Sequence, residues 1–229
     1  MLIWQTEIGI ESQRRFCKFF VGLSHSRFNR RARMLLPLIR CIRQAWNQEV
    51  KTAGEFLIID SFPVCQPVRN YRLKIFRGVA DIGYKATKKV YYYGFKVHAI
   101  VSDDGYLLNY AVTKASVHDA KETVELMINA HPANHYRLGD EGYLGKNIAT
   151  NLKRMGYVLW MPYRKTMQGA RRHNDHQLMA IRRSIESDFS LLSYYNAENN
   201  RARSPVGFQQ RLEIAILAYN MAYCLERFN

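Results

Sequence analysis

The spacing of apolar positions divides the chain at about Gly54. Before it, Phe28, Ala32, Leu35, Ile39, Ile42 and Trp46 recur every three or four residues, the spacing of one helix face. Ser26 is placed to cap that helix and Pro37 to kink it, and a shorter helix is expected near residues 10–22. After Gly54 the period changes. The run Phe56-Leu57-Ile58-Ile59 has no polar alternation, which predicts a strand covered on both faces, with Pro63 ending its pairing. GFKVHAIVS (94–102) and YLLNYAVTK (106–114) flank Asp103-Asp104-Gly105, a hairpin signal. A helix opening at His118-Asp119 and running to about Ala130 follows, then a short strand ending at Asp140 and a helix near 144–155. A strand over 157–161, a basic loop and a helix from about Asp175 to Ser193 come next. Ser204-Pro205 starts a last helix, serine as cap and proline in the first turn.

These elements predict an α/β chain: a mixed sheet flanked by helices over residues 54–229, preceded by a helical segment over residues 1–53. In that order Asp60 follows the first strand and Asp140 the fourth. If those strands are neighbours, both carboxylates emerge side by side. Two close aspartates repel, and a divalent cation held through oxygen ligands relieves the repulsion. A third acid would come from the late helix. There Leu178, Ile181, Ile185, Phe189 and Leu192 form one stripe, with Glu186 on one flank and Asp188 on the other. Geometry alone does not choose between them. The plain reading of Glu186 is an i,i+4 ion pair with Arg182, and that of an isolated Asp60 is a turn former.

Charge changes the picture. The chain carries 34 Lys and Arg against 19 Asp and Glu, a formal net charge of +15, and such a field attracts phosphate backbones. Residues 69–96 concentrate it, with Lys85, Lys88 and Lys89 among tyrosines whose faces suit stacking on unpaired bases. Arg164 and Lys165, then Arg171 and Arg172, lie in the loop before the late helix and are placed to grip DNA. A solvated edge and a solvated loop are the plain alternatives. Cysteines 17, 41, 65 and 224 form no CxxC pair, which favours a reducing compartment over a zinc site. No run is apolar enough to suggest a membrane span or signal peptide. Glu141 beside Asp140 reads as a surface group, and His98, inside a strand, as packed rather than ligating.

The stretches IIDSFPV, YYYGFKVHAIV, RLGDEGYLG and RRSIESDFSLL, followed by ENNRARSPVGFQQRLEIAILAYNMAY, resemble the DDE transposases of bacterial insertion sequences. The resemblance runs from about residue 26 to the end. It implies an RNase H-like catalytic fold, with Asp60, Asp140 and Glu186 as the metal-binding triad for Mg²⁺ or Mn²⁺, two ions in all. Arg182 is then the arginine that accompanies the glutamate near DNA phosphate. Met179 and Ser193 stand where some related transposases carry a tyrosine and a lysine, so that additional motif is not carried over. The implied activity is metal-dependent cleavage and strand transfer on double-stranded DNA, at element ends and target. The enzyme would act as a homodimer or larger assembly on DNA, in the bacterial cytoplasm at the nucleoid. The family usually begins with a longer helical segment that recognises element ends, so a shortened, inactive DNA-binding relative is one alternative. An RNase H-like nuclease or resolvase is another.

Overall fold

The computed structural model describes residues 1–20, 22–49, 54–85, 89–117, 126, 136–140 and 146–228. The helix expected from His118 lies outside them except for Leu126, as do Lys88, Asp119 and Glu141. The chain forms two compact units. The first comprises Met1–Lys51, Val64–Gly78 and Ser190–Asn229, and the second Thr52–Pro63 and Val79–Phe189.

The second unit carries the sheet: β1 (Phe56–Cys65), β2 (Asp81–Lys85), β3 (Val90–Ser102), β4 (Leu107–Lys114), β5 (Tyr136–Leu138) and β6 (Val158–Trp160). The order is β2–β3–β1–β5–β6, with β4 also paired to β3. β1, β5 and β6 are parallel, whereas β2 and β4 run antiparallel to β3. The buried run Leu57, Ile58 and Ile59 lies at the sheet's centre, as an apolar run covered on both faces requires. The β3–β4 turn closes as expected: Gly105 takes φ 95°, a left-handed value that suits glycine, and Ser102 N donates to the Tyr106 carbonyl at 2.9 Å.

β2 has no counterpart in the apolar pattern. It takes up the pairing of β3 where β4 leaves it: Phe95 faces Lys114 and Gly94 faces Asp81. Asp81 fastens the junction by accepting from Ser116 N at 2.9 Å and Ser116 Oγ at 2.5 Å. A Cβ on Gly83 would stand 2.7 Å from the Ala115 carbonyl oxygen, so only glycine lets β2 approach that backbone. β1 departs from the expected stop and continues through Pro63 to Cys65. Its described pairing with β5 ends at Ile58, so beyond that point a proline lacking N–H breaks no bond on that edge. Asp60 therefore sits within the strand.

In the first unit α1 (Leu2–Glu7), α2 (Gln13–Phe20), α3 (His25–Met34), α4 (Leu36–Glu49) and α5 (Val68–Arg72) precede the long last helix of the chain. Phe16, Cys17 and Phe28 form one core, against which Leu2 and Ile10 pack. The cap of α3 is Ser24, which accepts from Arg27 N, rather than Ser26. The helix predicted to kink at Pro37 breaks at Leu35, leaving Pro37 in the first turn of α4, where a missing N–H costs nothing. The break resets the helical phase. Leu36, Ile39 and Arg43 are buried on α4, while Leu35 and Ile42 are exposed.

Further helices are α6 (Lys146–Arg154), α7 (Ala170–His173), α8 (His176–Tyr194) and α9 (Pro205–Phe228). Ser204 caps α9 by accepting from Gly207 N at 3.2 Å. Glu213 of α9 is buried and answers Arg43 at 2.8 Å and Arg40 at 3.2 Å. No helix among the described residues is long and apolar enough to cross a membrane.

Candidate active site

The site is built by strand register. Ile58 of β1 pairs with Leu138 of β5 in parallel, so Asp60 and Asp140 each lie two residues past a matched pair. Asp60 is oriented by its neighbour, since Ser61 N donates to Asp60 Oδ1 at 2.8 Å. The third participant comes from α8. Asp175 caps that helix by accepting from Gln177 N at 2.8 Å and Leu178 N at 3.0 Å, which sets where its turns begin. Ile185 is fully buried beneath it.

Arg182 Nη2 lies 3.2 Å from Asp140 Oδ1 and 3.7 Å from Asp60 Oδ2, so one guanidinium spans both carboxylates. The Arg182 and Asp60 side chains are 16% and 22% exposed and Asp140 46%, a cluster open to solvent on the Asp140 side. Phe62 and Phe189 hold this arrangement, with ring centroids 4.9 Å apart. Asp60 and Phe62 share a face of β1, and Arg182 and Phe189, two turns apart, share a face of α8. Strand and helix thus meet at two points. Sequence reasoning did not single out Phe62, although its position two residues after Asp60 was the available signal.

Glu186 lies one turn beyond Arg182 and is exposed, whereas Asp188 is buried. Among the described residues no three His, Cys, Asp or Glu side chains group closely enough to hold a metal ion. Asp60 and Asp140 offer hard oxygen donors already gathered around a positive group, a donor set that suits a divalent cation. Behind them, Arg137 of β5 is buried with its guanidinium 4.5 Å from the Tyr157 ring centroid, and burial pushes it below its ordinary pKa.

Arg164 and Lys165 are exposed on the segment after β6, and Arg171 and Arg172 are exposed on α7. That segment is pinned rather than loose. Asn174 Oδ1 accepts from Tyr163 N at 2.7 Å, and its Nδ2 donates to the Tyr163 carbonyl at 2.9 Å. His173 stacks on Tyr163, with centroids 3.7 Å apart. Lys85 ends β2 and exposed Lys89 precedes β3. His98 is fully buried in β3, with Nε2 2.9 Å from Thr113 Oγ1, so it is packed as its strand position suggested.

The sequence matches the family described as transposase DDE domain over residues 51–221, and the chain belongs to that family. A search of curated proteins gave no match. Among solved structures, the chain is similar to the piggyBac transposase synaptic complex with hairpin DNA, determined by cryo-EM. The TM-score is 0.56 at 13% identity, covering 100% of this chain and 65% of that one, so this chain spans less than two thirds of its length. That likeness shows the fold, an RNase H-like mixed sheet flanked by helices. The crystal structure of the Mos1 mariner paired end complex with Mn matches at TM-score 0.29 and 8% identity, over 96% of this chain and 76% of that one. That score is too low to bear on the fold.

Proposed function

We propose that this chain is the transposase of an insertion sequence, and that residues 54–229 serve as its catalytic domain for DNA cleavage and strand transfer. The observation that carries the reading is the convergence of Asp60 and Asp140 on Arg182, produced by the parallel register of β1 and β5. Membership of the transposase DDE family supports it.

Asp60 and Asp140, joined by Glu186, would hold two Mg²⁺ or Mn²⁺ ions. When bound, such ions activate an attacking oxygen and stabilise the leaving one. Arg182 balances the two carboxylates and offers its remaining N–H groups to a DNA phosphate. Its planar fork suits that double task better than a lysine would. Arg164, Lys165, Arg171, Arg172, Lys85, Lys88 and Lys89 would track the backbone of double-stranded DNA at element ends and target, with the protein assembled as a dimer or larger complex. Water, then the freed 3′-hydroxyl, is the nucleophile, and no covalent enzyme intermediate forms.

The test is cleavage and joining of labelled end DNA in Mg²⁺ or Mn²⁺. Asp60→Asn and Asp140→Asn should abolish both reactions while leaving DNA binding intact. Glu186→Gln should do the same and Asp188→Asn should not. Full activity in either aspartate variant would remove that residue from the mechanism.

A further inference from the structure

Outside the aspartate site, the first unit contains an open recess of about 410 Å³. Its lining includes Arg14 of α2, Arg33 of α3, Arg201 and Arg203 of the segment before α9, and Arg211 of α9. Among the described residues that line it, Glu11 is the one acid. The arginines arrive from four separate stretches of chain, so no local sequence pattern brings them together. Together they give the recess an excess of positive charge to which an anion is attracted.

The recess is framed rather than incidental. Asn200, buried in the segment that carries Arg201 and Arg203, donates to the Phe208 carbonyl at 2.9 Å. Its own carbonyl accepts from Gln66 Nε2 at 2.8 Å, and Asn70 Nδ2 donates to the Ala202 carbonyl at 3.1 Å. Three buried amides thus fix the backbone on both sides of Arg201. Asn29 Nδ2 donates to Gln13 Oε1 at 2.6 Å and joins α3 to α2 at the rim. First-turn residues of three helices, Gln13 and Arg14, His25, and Gly207, also line the space, adding the positive ends of their dipoles. Glu11 neutralises only part of this charge. Its carboxylate lies 3.1 Å from Arg201 Nη2, and its carbonyl accepts from Arg211 at 3.4 Å. Burial lowers the pKa of Arg211; Glu11 opposes that shift and Arg201 adds to it.

We infer that this recess is a phosphate site that holds the phosphodiester backbone of DNA, using side chains none of which belongs to the aspartate cluster. Guanidinium forks match phosphate oxygens, and a concave positive surface focuses the field on a passing anion. That the phosphate belongs to DNA rests on the transposase reading; that the recess takes phosphate does not.

Exposed Arg33 and Arg203 are the residues to change. Fluorescence anisotropy on a labelled duplex across a salt series should show Arg33→Glu/Arg203→Glu binding about tenfold or more weakly, with the salt slope reduced by about 2. Glu11→Gln should bind more tightly, because Arg201 loses its competing carboxylate. Circular dichroism and Tm check folding, and the milder Arg33→Gln/Arg203→Gln pair replaces the reversal if it unfolds. A folded pair with wild-type affinity and slope overturns the inference. If inorganic phosphate raises the wild-type Tm while duplex binding ignores the substitutions, the occupant is a free anion and the DNA assignment falls. Failure of the transposase reading looks different: wild-type protein would bind duplex, sensitively to Arg33 and Arg203, without metal-dependent cutting.

Discussion

Asp60 and Asp140 are held in step, each two residues beyond the facing pair Ile58 and Leu138 of two parallel strands. A shift of one residue in that register would turn one strand's side chains to the opposite face and separate the carboxylates. The relationship therefore depends on the apolar core beneath it, where Ile58 and Leu138 are almost wholly buried.

Arg182 is the positive charge this pair now faces. Arg182→Ala should lower strand cleavage at least about a hundredfold, the range typical of losing a preorganised charge contact to the reacting group. The same variant should bind Mn²⁺ in the absence of DNA at least as tightly as wild type, since a competing cation has been removed from both aspartates. Metal titration beside a single-turnover cleavage assay checks the two effects together.

Asp103 ties the β3–β4 turn to the start of β1, with its N–H donating to the Phe56 carbonyl at 3.1 Å. Burial raises the pKa of its carboxyl and the neighbouring Asp104 adds to this, against backbone donors from Phe56, Asp103 and Glu55 that lower it. A raised folded pKa means that the protonated form suits the fold better. Its contribution is full below the ordinary carboxyl value of about 3.9 and is lost as pH rises through the folded value. Asp103→Asn should therefore gain stability over wild type between acid and neutral pH, with the difference vanishing at the acid end. Urea unfolding at several pH values measures it.

Glu213 is 2% exposed and holds Arg43, itself 8% exposed. Glu213→Ala removes the carboxylate that answers the buried Arg43 guanidinium and should destabilise the protein by about 3–5 kcal/mol, read by chemical denaturation. Replacing both residues with apolar ones of similar volume should recover most of that loss.

The apolar run of β1, the Asp-Asp-Gly hairpin and the start of the late helix near Asp175 were legible in the sequence because each is set by neighbouring residues. The adjacency of the strands that carry Asp60 and Asp140 was only a condition at that level, and the parallel pairing of β1 with β5 meets it. β2 was not, because its pattern is inverted: Ile82 and Tyr84 are exposed and Gly83 is the buried residue, placed by Ala115 of a later segment. The helical phase after Leu35 was misread because the apolar count ran across a break. The burial of Arg43 has no local signal because its partner Glu213 lies in the last helix. The arginines of the recess stayed hidden for the same reason, each reading as a solvated charge until four stretches of chain come together.

We propose that Asp60, Asp140 and Glu186 share divalent ions during DNA cleavage. Mn²⁺ titration of the DNA-bound protein, followed by electron paramagnetic resonance, tests it most directly. Two bound ions are expected in the wild type and loss of at least one in each of Asp60→Asn, Asp140→Asn and Glu186→Gln, with Asp188→Asn unchanged. Wild-type occupancy in the Asp60 and Asp140 variants would contradict it.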